Sequence, residues 1–435
     1  MKTNVYHWTV IILAVFLMLA CLSGCSQNAN QTKQETQTPV DVEETEKAPA
    51  PVIEKQPIRD TTPRAALSTI ACGYDCSYAI REDHSLWGWG KPIFPGVGTL
   101  KVPTQLMDDV SAISCGSFHF AVLKTDHSLW LYGDNSAGQL GNGKKQEGLK
   151  NREEDFVKIM DNVIAVSCGK RHTAAIQSDG SLWVWGQNSS GQVGNSGEGN
   201  DSYLNEMKEE ITIQTVPVKV LDGVAVVSCG GSHTMAITED GTLWAWGSND
   251  LGQFGDGGTE SSSTPIKIMD HVVSVSTVPG IAFSNESSCG GSLILKDDGT
   301  VIKSGQLATD GGPEFVMEGV SSCIGGKGGF YSLVQENGSL WTWGPNLYGQ
   351  KGYYDPDEKP TVSHYKSMDT GVIGASCGLD HMMAVLDDGT LWAWGDNTDG
   401  QIGTNGGYNQ VITRYSKANY CQTSPVQIMD GILIP

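Results

Sequence analysis

Four histidines share one setting, Cys-Gly-x-x-His, at His119, His172, His233 and His381. Paired Cys and His are the residue types that hold zinc, but a metal needs them converging at about 2.0–2.1 Å from the ion. These four recur one per repeated segment, which spreads them apart, so the reading is structural, with each imidazole bonding backbone near its own turn. Five cysteines fill the matching small-residue position: Cys72, Cys115, Cys168, Cys229 and Cys377. They read as buried small hydrophobes. Whether a disulfide forms, Cys72–Cys76 or Cys289–Cys323, stays open. Asp396-Asn-Thr-Asp399-Gly400 lacks the alternating ligand spacing of a calcium loop. Asp355, Asp357 and Glu358 read as a solvated loop. There is no phosphate-binding Gly-rich loop and no Gly-x-Ser-x-Gly elbow. The expectation is a protein with no catalytic residue, no metal and no cofactor.

The elements around these residues repeat. Eleven of twelve tryptophans lie in Leu-Trp-x-Trp-Gly or a variant of it: LWGWG (86–90), LWLYG (129–133), LWVWG (182–186), LWAWG (243–247), LWTWG (340–344) and LWAWG (391–395). A decayed seventh copy, VIKSG, stands at 301–305. A second pattern, Pro-x-x-Ile-Met-Asp, also occurs seven times, ending with Pro425-Val-Gln-Ile-Met-Asp430. Each unit holds four strand-length runs separated by Asp-Gly or Asn-Gly pairs, the tight turns of antiparallel hairpins. Asp83-His84 and Asp126-His127 stand in for two of them. Seven units of about 50 residues, each four short strands, predict an all-β fold, a seven-bladed β-propeller. The first unit starts at its second strand, LSTIACG (67–73). The spare copy at 425–430 is therefore expected to complete blade one as a C-terminal closing strand and remove an open edge.

The chain has 435 residues, 49 acids against 28 bases and a net charge of −21. That balance argues against nucleic-acid binding, which rests on Lys and Arg neutralising phosphates. Residues 1–24 read as an export signal: Lys2, an apolar run from 9 to 22, then Leu22-Ser23-Gly24-Cys25. That ending resembles the lipobox of bacterial lipoproteins, which implies lipidation at Cys25, a membrane anchor and a place on the extracytoplasmic face of the cell membrane. Residues 25–60 carry the anchor and a disordered tether, with too little apolar surface to fold. The propeller is expected over 61–435.

The units resemble the regulator of chromosome condensation repeat family. The fullest copy runs Ser228-Cys-Gly-Gly-Ser-His233, Asp240-Gly241, Trp244-Ala-Trp246-Gly247, Asn249, Gly252-Gln-Phe-Gly255. Gly138-Gln-Leu-Gly141, Gly191-Gln-Val-Gly194 and Gly400-Gln-Ile-Gly403 repeat its end. Units five (VIKSG) and six (Gly349-Gln-Lys-Gly352, with Phe330 at the His position) depart from it, and distortion is expected there. The family's nucleotide-exchange and chromatin roles do not suit an exported acidic protein. A secreted β-lactamase inhibitory protein of this repeat class implies what the fold does outside a cell.

Two turns of every unit are uniformly tight and share one rim of the ring. The opposite rim takes every large insertion: 142–155, 195–215, 277–291, 352–365 and 404–423. Loops on a rigid scaffold carry recognition, and these contain Tyr203, Tyr353, Tyr354, Tyr365, Tyr408, Tyr415 and Tyr420. Tyrosine offers large contact area at low entropic cost. The expected function is a monomeric, membrane-tethered scaffold that binds a protein partner at the cell envelope with this rim. The alternatives are an inhibitor of an extracellular enzyme, a carbohydrate binder or an enzyme.

Overall fold

The Asp-x-Ser/Thr segments close their turns locally, and this sets the strand spacing. In the structure, a computed structural model, Asp179 Oδ1 accepts from the Ser181 backbone N–H at 2.9 Å and from its hydroxyl at 2.6 Å. Ser181 Oγ in turn takes the Trp183 indole N–H at 3.0 Å. The arrangement recurs at Asp83, Asp126 and Asp388. His84 and His127 do take the glycine's place, with φ of 62° and 64°. The described residues are 63, 69–94, 96–145, 155–204, 208–278, 290–308, 312–327, 329–355, 364–414 and 417–434. The signal segment, Cys25, the tether, Tyr415, Cys289, Asp357 and Glu358 lie outside them.

The described strands form seven antiparallel sheets, the blades of a seven-bladed β-propeller. Blade four shows the plan: inner strand Val224–Cys229, then His233–Thr238, then Leu243–Gly247, then outer strand Ser262–Met269. The blades occupy 70–107, 110–160, 163–221, 224–269, 272–317, 320–368 and 372–429. Among the described residues no helix is long and apolar enough to cross a membrane.

The strand pairing corrects one expectation. The Pro-x-x-Ile-Met-Asp strand pairs with the Trp strand before it, Leu243 opposite Met269 for example. It is thus the outer strand of its own blade, and the tight turn after it leads into the next blade. Accordingly Lys417–Met429 completes blade seven, where Leu391 lies opposite Met429. Closure falls to the residues just beyond. Ile432 bridges to Arg81 and donates its N–H to Gly389 O, while Leu433 N–H reaches Ile80 O at 3.0 Å. Val224 bonds Gly180 O and pairs with Thr238 in the same way, so Ile432 starts the inner strand that Ile70–Cys72 finishes. The C-terminus closes the ring with two residues inside blade one rather than with a whole strand.

Blades pack face to face through the tryptophans. The first Trp of each pair is half-buried, whereas Trp89, Trp185, Trp246 and Trp394 are fully buried between blades. Trp185, for instance, packs with Leu131, Leu140 and Ala175 from blades two and three. The Gly-Gln-x-Gly segment exists to admit this ring. A Cβ on Gly194, at φ 87°, would lie 2.7 Å from Trp246 Nε1. Units five and six are not distorted: both are ordinary four-stranded sheets. Where VIKSG lacks the second Trp, Ser304 Oγ makes the inter-blade bond to Gln253 O instead, at 3.0 Å.

Candidate partner-binding face

The histidines are ties between blades. His119 Nε2 sits 2.8 Å from Thr173 Oγ1, whose proton goes to Gln139 O at 2.8 Å. Trp185 Nε1 donates to that same carbonyl at 2.9 Å. Blades three and four repeat the set with His172, Thr234, Gln192 and Trp246. Blades seven and one, at the closing junction, repeat it with His381, Ser77, Gln401 and Trp89. Because each hydroxyl spends its only proton on the glutamine carbonyl, the imidazole Nε2–H must be the donor, which leaves Nδ1 bare. Nδ1 of His119, His172, His233 and His381 is indeed buried without a partner. Burial drives these imidazoles well below their ordinary pKa, to about 3 for His119, His172 and His381 and about 4 for His233. The expected bond to each histidine's own turn is replaced by one to the next blade's hydroxyl.

The cysteines are equally structural. Cys72, Cys76 and Cys323 are free thiols, and Cys72 Sγ donates to Ser376 O. Burial pushes Cys168 and Cys377 up to about 12, far from the thiolate a nucleophile needs. Asp396 is raised by burial and accepts from Thr398 Oγ1 and Gln401 Nε2, which holds its loop. Asp399 pairs with Lys91 across the closing junction at 2.7 Å.

The two rims differ as the loop lengths imply. Two insertions on the second rim fold into hairpins that add a fifth strand to their blades. In blade three Asp201–Leu204 pairs with Glu210–Leu221, and in blade seven Gln410–Arg414 pairs with Lys417–Met429. Tyr203 sits half-buried on Ala137, Ile211 and Ile213. Tyr353 packs at a tilt against Tyr365, ring centroids 4.1 Å apart, with Lys351 Nζ 5.5 Å from its ring centroid, so these two help hold their own loop. Tyr354 is half-buried. Tyr408 and Tyr420 lie 4.9 Å apart and are 49% and 42% exposed. Val411 stands opposite Tyr420 and is exposed as well. The blade-seven hairpin therefore presents an aliphatic and two aromatic side chains to solvent.

A second cluster on this rim went unmarked in the sequence. The turns between inner and second strands surround the ring axis there. Tyr74 and Phe118 lie 6.4 Å apart, and the Arg171 guanidinium is 5.4 Å from the Phe118 centroid. Arg171 Nη1 donates to Tyr203 Oη at 3.1 Å. All four are half-buried, with aromatic faces and a guanidinium available at the surface. Phe118 and Arg171 occupy the x positions of Cys-Gly-x-x-His, where spacing was the only visible property. From blade six, Lys327 Nζ donates to Cys72 O of blade one at 2.8 Å, closing over the axis.

Fold and rim together define a seven-bladed propeller with a one-sided, loop-built face. The sequence model of the regulator of chromosome condensation (RCC1) repeat matches residues 126–176, 179–237 and 240–279, and a second model of the repeat matches 110–139, 163–192, 224–253 and 372–401. The ultraviolet-B receptor UVR8 of Arabidopsis thaliana is 29% identical over 318 residues, 68% of this chain and 64% of the receptor. The human E3 ubiquitin-protein ligase HERC2 is 24% identical over 277 residues, 62% of this chain but 5% of the ligase. The chain thus spans less than two thirds of each. Among solved structures, human WBSCR16 superposes with a TM-score of 0.58 at 22% identity, over 77% of this chain and 86% of that one. Prp20p of Saccharomyces cerevisiae, whose binding to Gsp1p and histones has been described, gives 0.59 at 15% identity over 85% and 88%. At those identities the likeness is one of fold.

Proposed function

We propose that the protein is a non-enzymatic scaffold, tethered to the outer face of the cell membrane through Cys25, that binds a protein partner with its insertion rim. The observation that carries this reading is the asymmetry of the rims. One is uniform turn chemistry, and the other combines two added hairpins with the exposed Tyr408, Val411 and Tyr420 and the Tyr74–Phe118–Arg171 cluster. Tyr, Trp and Arg dominate interface energies. The histidines, cysteines and Asp396 that could have done chemistry hold blades and loops together, which favours binding over catalysis. HERC2 matches over too small a part of its length for ligase activity to transfer, and Prp20p offers the precedent of a propeller of this kind that binds proteins.

Two experiments test the reading. A pull-down from envelope extract with the propeller is expected to recover one stoichiometric protein. Tyr408→Ala with Tyr420→Ala should weaken that binding by about 2 kcal/mol, roughly 30-fold, without lowering the melting temperature. Glu239→Lys and Asp222→Lys on the tight-turn rim should leave it unchanged. Binding lost through the tight-turn changes and retained in the tyrosine variant would overturn the reading. For the anchor, Cys25→Ala should move the protein from the membrane to the soluble fraction or leave an unprocessed precursor. Unchanged fractionation and lipid labelling would refute the tether.

A further inference from the structure

Five of the seven blade junctions share one device, a glutamine carbonyl from the Gly-Gln-x-Gly segment of one blade that takes a donor from the next. The donors are Trp89 for Gln401, Trp185 for Gln139, Trp246 for Gln192, Trp394 for Gln350 and Ser304 for Gln253. Blades one and five have no Gly-Gln-x-Gly segment, so the junctions they form with blades two and six lack this carbonyl. The two junctions answer differently.

Between blades one and two the threonine donor is replaced by hydrocarbon and the tryptophan by Tyr132. Phe120 stands where Thr173 and Thr234 stand elsewhere, opposite Tyr132. Phe156 packs 5.4 Å from Tyr132 and 5.1 Å from Phe94, filling the place with aromatic rings. The Tyr132 hydroxyl is not among the buried groups left without a partner.

Between blades five and six the donors remain. Tyr331 and Trp343 are register partners at the positions of Thr173 and Trp185, and their rings stack at 5.4 Å, 4° from parallel. Tyr331 is 2% exposed and its hydroxyl has no hydrogen-bond partner. A buried orphan hydroxyl costs about 1–3 kcal/mol, a cost that phenylalanine would avoid. By their register both donors lie at the ends of their strands next to the insertion rim. In sequence, blade five passes from its third strand Val301–Gly305 to its outer strand Glu314–Met317 by a shorter connection than those that form the added hairpins of blades three and seven. Lys303 is paired with Glu314 at 3.0 Å. Burial first, and then the charge of nearby Glu314, hold the Tyr331 phenol protonated, and the same charge disfavours a carboxylate in the slot.

We propose that the slot between blades five and six receives an uncharged carbonyl from a protein partner, a backbone carbonyl or an Asn or Gln carboxamide, in the position that a glutamine carbonyl fills at the other junctions. Tyr331 Oη donates to it, and Trp343 Nε1 is placed as the second donor. This deepens the reading of the rim as a partner-binding face, and its test needs no partner.

The probe is the capped peptide acetyl-Gly-Asn-Gly-amide, titrated into the full-length protein labelled with nitrogen-15 at the tryptophan indoles. One indole N–H resonance, assigned by its loss in Trp343→Phe, should move downfield and saturate in the millimolar range. Tyr331→Phe keeps the stacked ring and removes only the donor. It should weaken the peptide's effect about tenfold, the worth of one hydrogen bond, while the melting temperature holds or rises. Sodium acetate at equal concentration should give no saturable shift. A wild-type protein that does not respond to the peptide holds only water in the slot, and the proposal falls. It falls equally if Tyr331→Phe responds as strongly as wild type, or if acetate replaces the peptide. The pull-down result is independent of all three outcomes, so the slot and the rim stand or fall separately.

Discussion

On acidification from pH 7 to pH 5 the protein is expected to lose several kcal/mol of folding stability, well before its carboxylates titrate. His119, His172, His233 and His381 are fully buried, and burial is the first cause that holds their pKa values at about 3 to 4. The Lys327 charge pushes His119 and His381 further down, and the neighbouring imidazoles act on His172. The bare Nδ1 explains why protonation is resisted: a second N–H would face no acceptor. In the unfolded state each histidine titrates near 6.5, so the unfolded state binds protons first as the pH falls. The stability tied to these groups is complete above about pH 6.5 and drains as pH drops through 6.5 toward 4. At pH 5 each contributes about 2 kcal/mol of loss, roughly 8 kcal/mol for the four together. Denaturant midpoints measured from pH 7 to 5 should fall steeply, with close to four protons taken up on unfolding at pH 5. His172→Gln should lower that uptake by about one proton. A midpoint independent of pH over this range would show that the histidines are not buried neutral ties.

The number of units was legible because the Trp motif recurs with its turn residues, and the side of the ring that carries the long connections was legible because insertions must fall between particular strands. The phase of the blades was not. The tight turn Asp270-His271 joins Met269 to Val272 as closely as the one at Asp240-Gly241 joins Thr238 to Leu243, so turn length does not say which join stays within a sheet and which passes to the next. A clue did exist. The Pro-x-x-Ile-Met-Asp strands carry Lys158, Lys219, Lys267 and Lys366, each in an ion pair with the Asp three residues on, and all four lysine side chains are at least 39% exposed. Such pairs suit an outer edge facing water, not a strand at the ring axis. The insertions were visible as loops, but their pairing as hairpins was not, because Asp201–Leu204 and Gln410–Arg414 are short and carry no Asn-Gly turn. Tyr331 and Arg171 escaped notice for one reason: each occupies a position whose partner elsewhere in the ring is a different residue type, and only the register of the strands brings the two into correspondence.

Deleting residues 431–435 is expected to destabilise the entire ring, although it removes no complete strand. Ile432 is fully buried with Trp89, Val385 and Leu391 at the junction of blades seven and one. Leu433 packs beside the cluster of Tyr78, Phe120 and Val122 at the next junction. Truncating a buried Ile costs about 2–5 kcal/mol. Three backbone bonds go with the segment, from Ile432 to Gly389, from Glu82 to Gly431 and from Leu433 to Ile80. Each adds about 0.5–1.5 kcal/mol and leaves a carbonyl or N–H of a neighbouring strand unpaired. The junction keeps its other ties, His381 to Ser77 and Trp89 to Gln401, so the ring should still form with a loss of roughly 5 kcal/mol, seen as a melting temperature lower by about 10 °C. Ile432→Ala alone should cost about 3 kcal/mol. Ile434→Ala, at a side chain 43% exposed, should stay within about 0.5 kcal/mol of wild type. Sparing 424–430 matters, because Pro425–Met429 belongs to the outer strand of blade seven and its loss would confuse a missing strand with an open ring. If the 431–435 deletion melts at the wild-type temperature, closure rests on the histidine and tryptophan ties alone, and the C-terminal residues merely lie against blade one.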